Sequence, residues 1–559
     1  MRLIVREIKA QIRAGLTEAI RGAQADGVLP IFDAGEIQLS VPKESNHGDL
    51  AANIAMIAAK PAKMPPGKIA GIIKDRFRVG EPVARLEIAG PGFLNFFLTN
   101  TCREEAIREI IAQGASYGRT EDLAPQRIQV EFISANPVGP LNVVNCRAGA
   151  LGDSLAGLLA AAGAAVEREY YVNDFGVQVW TLGRSVEARC RELLGLDVEF
   201  PEEDYQGEYI YDHARAFLER APADFWRLGE EERIAMCREF ALRRILAEQQ
   251  ADLADYGVHY DRWFSERSLH ESGAVSGLFS ALVAGGHTYE AEGAVWLKTT
   301  DFGDDKDRVI KTGDGRTTYL LADIAYHLDK LKRGFDHLID IWGPDHHGHV
   351  IRMQAALAAA GVDPRKLEIL IAQQINLLRD GQPVKMSKRA GNFITMRELL
   401  GEVGNDVARY FFLTRSAESH LDFDLDLAVA ESNENPVYYI QYAHARVASI
   451  LRQAAEQNID AAGTLFPSGL LRTEEELRLA DAMLAFPELL AEAAIYREPH
   501  RVTGYLLDLA GLFHGFYNKH RVLTEDASLT AARLALVKAV QITIANGLRI
   551  LGLHAPEKM

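Results

Sequence analysis

A chain of 559 residues, 48% hydrophobic and 25% charged, has the makeup of an ordinary globular protein, and its length predicts about three domains. A net charge of −17 argues against a general nucleic-acid coat, while local basic patches can still meet RNA. No apolar run approaches the roughly 20 residues of a membrane span, and the scattered Cys102, Cys146, Cys190 and Cys237 support neither a disulfide framework nor a zinc site.

The opening segment mixes charges into a helical period, unlike a signal peptide, so a cytoplasmic protein is expected. Residues 1–110 read as a first unit. An amphipathic helix over 3–21 leads to a proline-punctuated strand region at 37–42. Residues 46–49 then fit a turn and helix cap. A strand broken by Gly90-Pro91-Gly92 closes the unit with Phe93, Phe96 and Phe97. Together these describe a small α+β domain.

From about 126 strands and helices alternate, which predicts a parallel sheet. Residues 128–133 alternate apolar and polar as a strand does. Asn136-Pro137, Gly139 and Pro140 break the chain before an alanine- and leucine-rich helix over about 146–162. A strand, a tight loop and the positive end of a helix make a nucleotide site in α/β proteins. A second strand over 166–172 ends in Asn173-Asp174-Phe175-Gly176-Val177-Gln178. Residues 179–292 turn helical, acidic and tryptophan-bearing, and read as an insertion that splits the nucleotide fold. The second half resumes at 294, and from 318 it enters a helix on which Tyr319 and Asp323, four apart, share one face. A strand over 338–342 runs into Gly343-Pro344-Asp345-His346-His347-Gly348-His349. Another over 367–375 leads past Asp380-Gly381 to Lys385-Met386-Ser387-Lys388, and the region of Asp422 to Asp424 closes the half.

From 427 the pattern is helical to the end, with apolar residues at 3.6 spacing. The helices set Tyr438 beside Arg446, and Tyr517 beside Lys519 and Arg521. Core packing accounts for the apolar members, and the polar ones suit base stacking and phosphate contact.

Taken in order, the Ser134-Ala135-Asn136-Pro137 loop, the step at 173–178, the run 318–323, the Gly343/Asp345/His346 element and the KMSKRAGNF stretch at 385–393 resemble arginyl-tRNA synthetases of bacterial type. These are class I aminoacyl-tRNA synthetases. His47-Gly48-Asp49-Leu50, otherwise a local cap, and the phenylalanine strand resemble the family's extra N-terminal domain. The resemblance implies an α/β fold: a Rossmann-type parallel sheet with a helical insertion, an N-terminal α+β domain and a C-terminal all-α anticodon-binding bundle. The implied domains are 1–110, 111–426 and 427–559. It implies activation of L-arginine by ATP, with Mg2+ on the phosphates, to arginyl-adenylate, and transfer to the 2′-hydroxyl of the terminal adenosine of tRNA(Arg). Lys385, Ser387 and Lys388, with Asn142 and Asn145, would serve catalysis. Pro140, Asn142, Val144, Asn145, Gly343, Asp345, His346 and Met386 would hold ATP. Glu131, Ser134, Asn136, Tyr319 and Asp323 would hold arginine, and Tyr438, Arg446, Lys519 and Arg521 would meet tRNA. No resident metal site, no membrane association and a monomer are expected.

One element departs from the family pattern. Where that pattern reads H-x-G-H, this chain has Asn142-Val143-Val144-Asn145. Asparagine keeps an NH₂ donor but not histidine's available positive charge, and valine fills space that glycine leaves open. Slower adenylation is therefore expected. A second reading stays open, an impaired synthetase-like protein that binds tRNA or arginine.

Overall fold

The computed structural model describes residues 4–33, 35–42, 47–196, 198, 200–346, 348–384, 394–459 and 466–559. The first unit starts with the helix Ile4–Ala25, whose Ile8, Ile12, Leu16 and Ile20 recur at helical spacing and are buried. They pack on a four-stranded sheet in the order Leu39–Ser40, Leu50–Ala52, Phe93–Leu98, Val83–Ala89, antiparallel throughout. Asp49 does not cap a helix. One of its oxygens accepts from the Leu98 amide at 2.6 Å and the other from Arg103 at 2.5 Å. Arg103, 6% exposed, also donates through Nε to Asp481 of the C-terminal bundle at 2.6 Å. Asp49 thus helps to join the first unit to the bundle.

The second unit is a five-stranded sheet, parallel at every pairing. Its order is Leu367–Ile371, His337–Trp342, Arg127–Glu131, Ala165–Val172, Arg262–Ser265. The first strand lies in the middle, and the chain winds outward on one side and then on the other. The order reverses between Arg127–Glu131 and His337–Trp342, so a crevice opens at their carboxyl ends. Both faces of the sheet are covered, and Ile128, Val130, Leu338 and Ile339 are fully buried. The helix Val143–Ala161 packs so closely that a Cβ on Gly152 would lie 2.1 Å from the Phe132 ring. Arg409, 1% exposed, ties this helix through Asp153 to the Leu551 carbonyl at the end of the bundle.

Further features differ from the sequence expectation. The stretch 179–292 contains Arg262–Ser265, a strand of the main sheet; the three helices Val177–Leu193, Glu208–Leu218 and Glu230–Asp255 before it share their own core. The strand expected over 367–375 is two strands. The chain leaves the parallel sheet after Ile371 and restarts at Ile375–Arg379 in a small sheet, parallel to Leu421–Asp424. The bundle is made of Pro436–Glu456, Glu474–Ile495, His500–Lys519 and Ala527–Ile550. The last of these is apolar and long enough to cross a membrane by composition, which the sequence reading had not picked out; its Leu534, Leu536, Val540 and Ile544 are buried in the core.

The Arg103 joint yields a test. Arg103→Ala leaves Asp49 and Asp481 facing each other without their cation. Breaking a buried pair costs about 3–5 kcal/mol, and with Asp481 about a third exposed the lower end is expected. Urea unfolding should show that loss as a lower midpoint. An unchanged midpoint would mean the joint contributes nothing.

Candidate active site

The crevice is built first by the backbone that leaves the middle strand. Ile133 and Ser134 have φ of 68° and 40°, a left-handed conformation that a β-branched residue adopts only under strain. The turn brings the Ser134 hydroxyl to Glu131 at 2.8 Å. The chain then reaches Pro140, partly buried, and the N-terminus of the helix Val143–Ala161.

Asn142 caps that helix. Its side-chain oxygen accepts from the amides of Val144 at 2.9 Å and Asn145 at 3.3 Å, and the Asn145 oxygen accepts from the Asn142 amide at 2.9 Å. This is a reciprocal capping box made of two asparagines. Because both oxygens face backbone N–H groups, both NH₂ groups are turned away from the helix as donors. Val144, 41% exposed, stands between them.

Beside this helix end lies a cluster of acids. Glu131 is not an open carboxylate. Lys330, fully buried, donates to Glu131 at 2.6 Å and to Asp340 at 2.8 Å. The His327 ring sits 2.8 Å from Asp340 and 2.7 Å from the Asp323 carbonyl. Burial works against the charge on Asp340, yet Lys330 and His327 hold its carboxyl down at about 2. For Glu131, burial and then Asp340 push the pKa up against the pull of Lys330.

Asp323 is different. Its partly buried carboxylate has no hydrogen-bond partner among the described residues, and burial, with Glu131 and Asp340 nearby, pushes it up to about 6. Glu266, 3% exposed, is a functional candidate that the sequence reading missed. Burial, then Asp323 and Asp174, push it up to about 7. The Tyr171 hydroxyl lies among Glu266, Asp323 and Glu131, and burial and their charge raise its pKa too. With its amide turned to suit its neighbours, Asn173 donates to Glu266 at 2.9 Å and to the Phe175 carbonyl at 3.2 Å, and lies 3.2 Å from the Asn136 side chain. Tyr319, 55% exposed, stands over Gly176, where a Cβ would lie 3.7 Å from its hydroxyl.

The structure therefore gathers Ser134, Asn136, Tyr319 and Asp323, adds Glu266 and Asn173, and gives Glu131 to Lys330. Two carboxyls without a lysine or arginine partner among the described residues, with the His270 ring 3.6 Å from Glu266 held from protonation by burial, suit a cationic ligand that offers a planar fork of donors. Gly343, Asp345 and His346 follow the strand His337–Trp342 at the same end of the sheet, with the His346 ring 5.9 Å from Trp342. Lys385, Met386, Ser387 and Lys388 lie outside the described residues, as does His347.

On the bundle, Tyr438 stacks on Tyr442 with centroids 6.1 Å apart, and Arg446 lies over Tyr442 at 4.4 Å and Tyr517 at 4.7 Å. Lys519 stands apart from this stack, paired with Glu475 at 2.5 Å on an exposed surface, and Arg521 is exposed. Exposed pairs of that kind exchange readily.

Three family models match the chain: "Arginyl tRNA synthetase N terminal domain" over 6–98, "tRNA synthetases class I (R), catalytic domain" over 106–421 and "DALR anticodon binding domain" over 440–559. Among curated relatives, an arginine–tRNA ligase of Geobacillus thermodenitrificans is 49% identical over 558 residues, covering 100% of both chains. One of Geobacillus kaustophilus is 50% identical, covering 99% of this chain and 100% of its own. Among solved structures, a putative arginyl-tRNA synthetase from Campylobacter jejuni has a TM-score of 0.76 at 35% identity, over 83% of this chain and 100% of that one. The arginyl-tRNA synthetase of Thermus thermophilus has a TM-score of 0.73 at 24% identity, over 98% and 100%.

The acid pocket makes a pH prediction. Asp323 and Glu266 are raised above ordinary carboxyls, so they carry protons below about pH 6 and lose them above about pH 7. A cation is bound best by the ionised pair. Affinity for a guanidinium ligand should therefore rise by about 10- to 100-fold from pH 5.5 to 7.5, with protons released on binding. Calorimetry in buffers of different ionisation enthalpy measures both. A flat profile would show that these carboxyls do not face the ligand.

Proposed function

The chain belongs to the arginyl-tRNA synthetases, and from that premise we propose how its residues carry out the work of an arginine–tRNA ligase. It is a class I ligase that uses ATP to join arginine to tRNA. The observation that carries the residue assignment is the pair of carboxyls of Asp323 and Glu266 at the carboxyl end of the sheet, with no lysine or arginine paired to them among the described residues and with the His270 ring, 3.6 Å from Glu266, held from protonation by burial.

Arginine would enter with its guanidinium between Asp323 and Glu266 under Tyr319. Asn136, steadied by Asn173, and Ser134 would receive its amino group. Its carboxylate attacks the α-phosphorus of ATP; a carboxylate oxygen–phosphorus bond forms and the bond to the pyrophosphate oxygen breaks. Negative charge gathers on the phosphate oxygens, where fixed donors and a helix N-terminus lower the barrier. The NH₂ groups of Asn142 and Asn145 would be two such donors, at the end of a helix already suited to anions. Pro140, Val144, Gly343, Asp345, His346 and Met386 would enclose the nucleotide, and Lys385, Ser387 and Lys388 would accompany the leaving pyrophosphate. The ATP phosphates would carry magnesium. Among the described residues no group of three or more His, Cys, Asp or Glu is placed to hold a metal, and at phosphoryl sites magnesium keeps mostly phosphate and water oxygens.

The adenylate then passes arginine to the terminal 2′-hydroxyl of tRNA(Arg). The stack of Tyr438, Tyr442, Arg446 and Tyr517 suits unpaired bases of that partner, with Lys519 and Arg521 for phosphates. We divide the chain at 1–110, 111–426 and 427–559. One chain supplies the whole of this proposed site, which suits a monomer, and a cytoplasmic setting suits tRNA charging. The impaired-binder reading is not favoured: full-length relatives at half identity carry the ligase name.

Two tests follow from this reading. Asp323→Asn removes a charge-assisted contact worth roughly 1.5–3 kcal/mol. It should raise the KM for arginine about 10- to 100-fold in ATP–pyrophosphate exchange with tRNA present, and barely move that for ATP. Equal damage to both constants would remove Asp323 from the arginine site. For the altered signature, Asn142→His, Val144→Gly and Asn145→His together should speed exchange. A single lost transition-state donor is worth up to about 2.7–4 kcal/mol, so even partial restoration should be visible. If the triple variant is no faster, the asparagines already do what the histidines would.

A further inference from the structure

Arg147 lies two residues beyond Asn145, in the second turn of the helix Val143–Ala161, and is 1% exposed. One terminal nitrogen donates to the carbonyls of Gln373 at 2.7 Å and Gln374 at 3.4 Å. The other donates to the carbonyls of Ser416 at 3.0 Å, Ala417 at 3.5 Å and Ser419 at 2.7 Å. Its Nε has no partner. No carboxylate pairs with it among the described residues. Burial pulls its pKa down to about 10, which leaves it charged at neutral pH. A buried guanidinium without a counter-ion is costly to hold. An apolar side chain of similar volume would fill the space at lower cost, so packing does not explain an arginine here.

The five carbonyls share a position in the fold. Residues 372–374 are the step between the parallel sheet and the strand Ile375–Arg379. Residues 416–419 are the turn before Leu421–Asp424, the parallel neighbour of that strand. The two segments also bond each other, Gln373 N–H to the Ala417 carbonyl at 2.9 Å and Leu421 N–H to the Gln374 carbonyl at 3.2 Å. Beyond Ile375–Arg379 the chain runs through Gln382–Pro383 directly to Lys385. One rigid fork therefore grips two segments at the base of the strand pair, and its other end is fixed in the helix that Asn142 caps.

We propose that Arg147 is a positioning residue for adenylation, fixing the strand pair Ile375–Arg379 and Leu421–Asp424 against the helix that carries Asn142 and Asn145. The inference rests on reading Asn142–Asn145 and Lys385–Lys388 as two halves of one ATP site. In-line attack requires both halves in one register, and a displacement of about 1 Å costs on the order of 100-fold in rate. Lysine is no substitute. A single ammonium cannot span both segments as the planar fork does.

The test uses the full-length protein with tRNA(Arg) transcript, arginine and ATP. Arg147→Lys and Arg147→Met should each lower the turnover of pyrophosphate exchange by about 30- to 100-fold. The KM for arginine should stay within about threefold, and tRNA affinity should be unchanged. A lysine variant with normal turnover overturns the proposal, as does a loss that falls equally on the KM for arginine. Hydrogen exchange on the unmodified protein keeps the idea open to refutation if a variant does not fold. ATP alone should protect residues 143–150 and, with them, 373–377 and 416–421. Protection of the first segment without the other two refutes the coupling while leaving the ATP site in place. No protection at 143–150 means the ATP-site reading has failed, and the coupling falls with it.

Discussion

The structure depends on one buried ammonium. Lys330 reaches from the helix Tyr319–Lys332 into the reversal point of the sheet and holds Glu131 and Asp340 together. Without it, Glu131 and Asp340 would face each other and Asp323 with no lysine charge to offset theirs, and at least one would have to take up a proton. The same helix face carries Asp323, His327 and Lys330, spaced four and three apart, where a core-facing helix would ordinarily show an apolar stripe. On the neighbouring strand, Arg333 does the equivalent service for Glu169, at 2.5 Å, while Tyr326 donates to the same carboxylate at 2.7 Å. Glu131, Asp340 and Glu169 are each matched by a fixed cation. Asp323 and Glu266 have no lysine or arginine paired with them among the described residues, and the His270 ring 3.6 Å from Glu266 is held from protonation by burial.

That division explains how the pocket can select. Acids neutralised from within act as scaffold, so a ligand's charge is read by Asp323 and Glu266. Burial leaves both carboxyls easier to protonate than ordinary ones, which limits the cost of the empty pocket. A ligand with a planar fork can satisfy two carboxyls at once, whereas a lysine ammonium offers a point charge to one or the other. Glu131 contributes as the fixed wall on which Ser134 is hung.

Much of this was legible in the sequence. The parallel sheet, the helical bundle and the pairing of Tyr319 with Asp323 all came from periodicity, and the family motifs gave the order of the units. What escaped did so for physical reasons. Arg262–Ser265 is a four-residue edge strand with no clean alternation, so its residues were read as insertion, and Glu266, the next residue, was lost with it. The break at 372–374 was passed over although Gln373 and Gln374 interrupt the apolar residues there, because the group that holds the step, Arg147, lies more than 220 positions away. Glu131 was assigned to a ligand because a sequence does not show its internal cation. Asp49 looked like a cap, and only the folded chain brings Arg103 and Asp481 beside it. The two asparagines were read as donors alone, although an Asn three residues from another at a helix start is also a capping signal.

The capping role bears directly on why asparagine can stand in this signature. A helix N-terminus that faces a triphosphate needs its orphan amides occupied and its outer face kept free of negative charge. Aspartate caps as well as asparagine does but would set a carboxylate against the phosphates. Serine caps and retains a proton, though on a shorter arm. Asparagine gives its oxygen to the helix, and that contact fixes where its NH₂ must point. The donor is then held by the fold before the nucleotide arrives, with little rotamer freedom left to lose on binding. Against histidine, this trades an available positive charge for a pre-set direction. The helix dipole supplies part of the missing charge, at the end of the helix where the reciprocal cap holds both side chains.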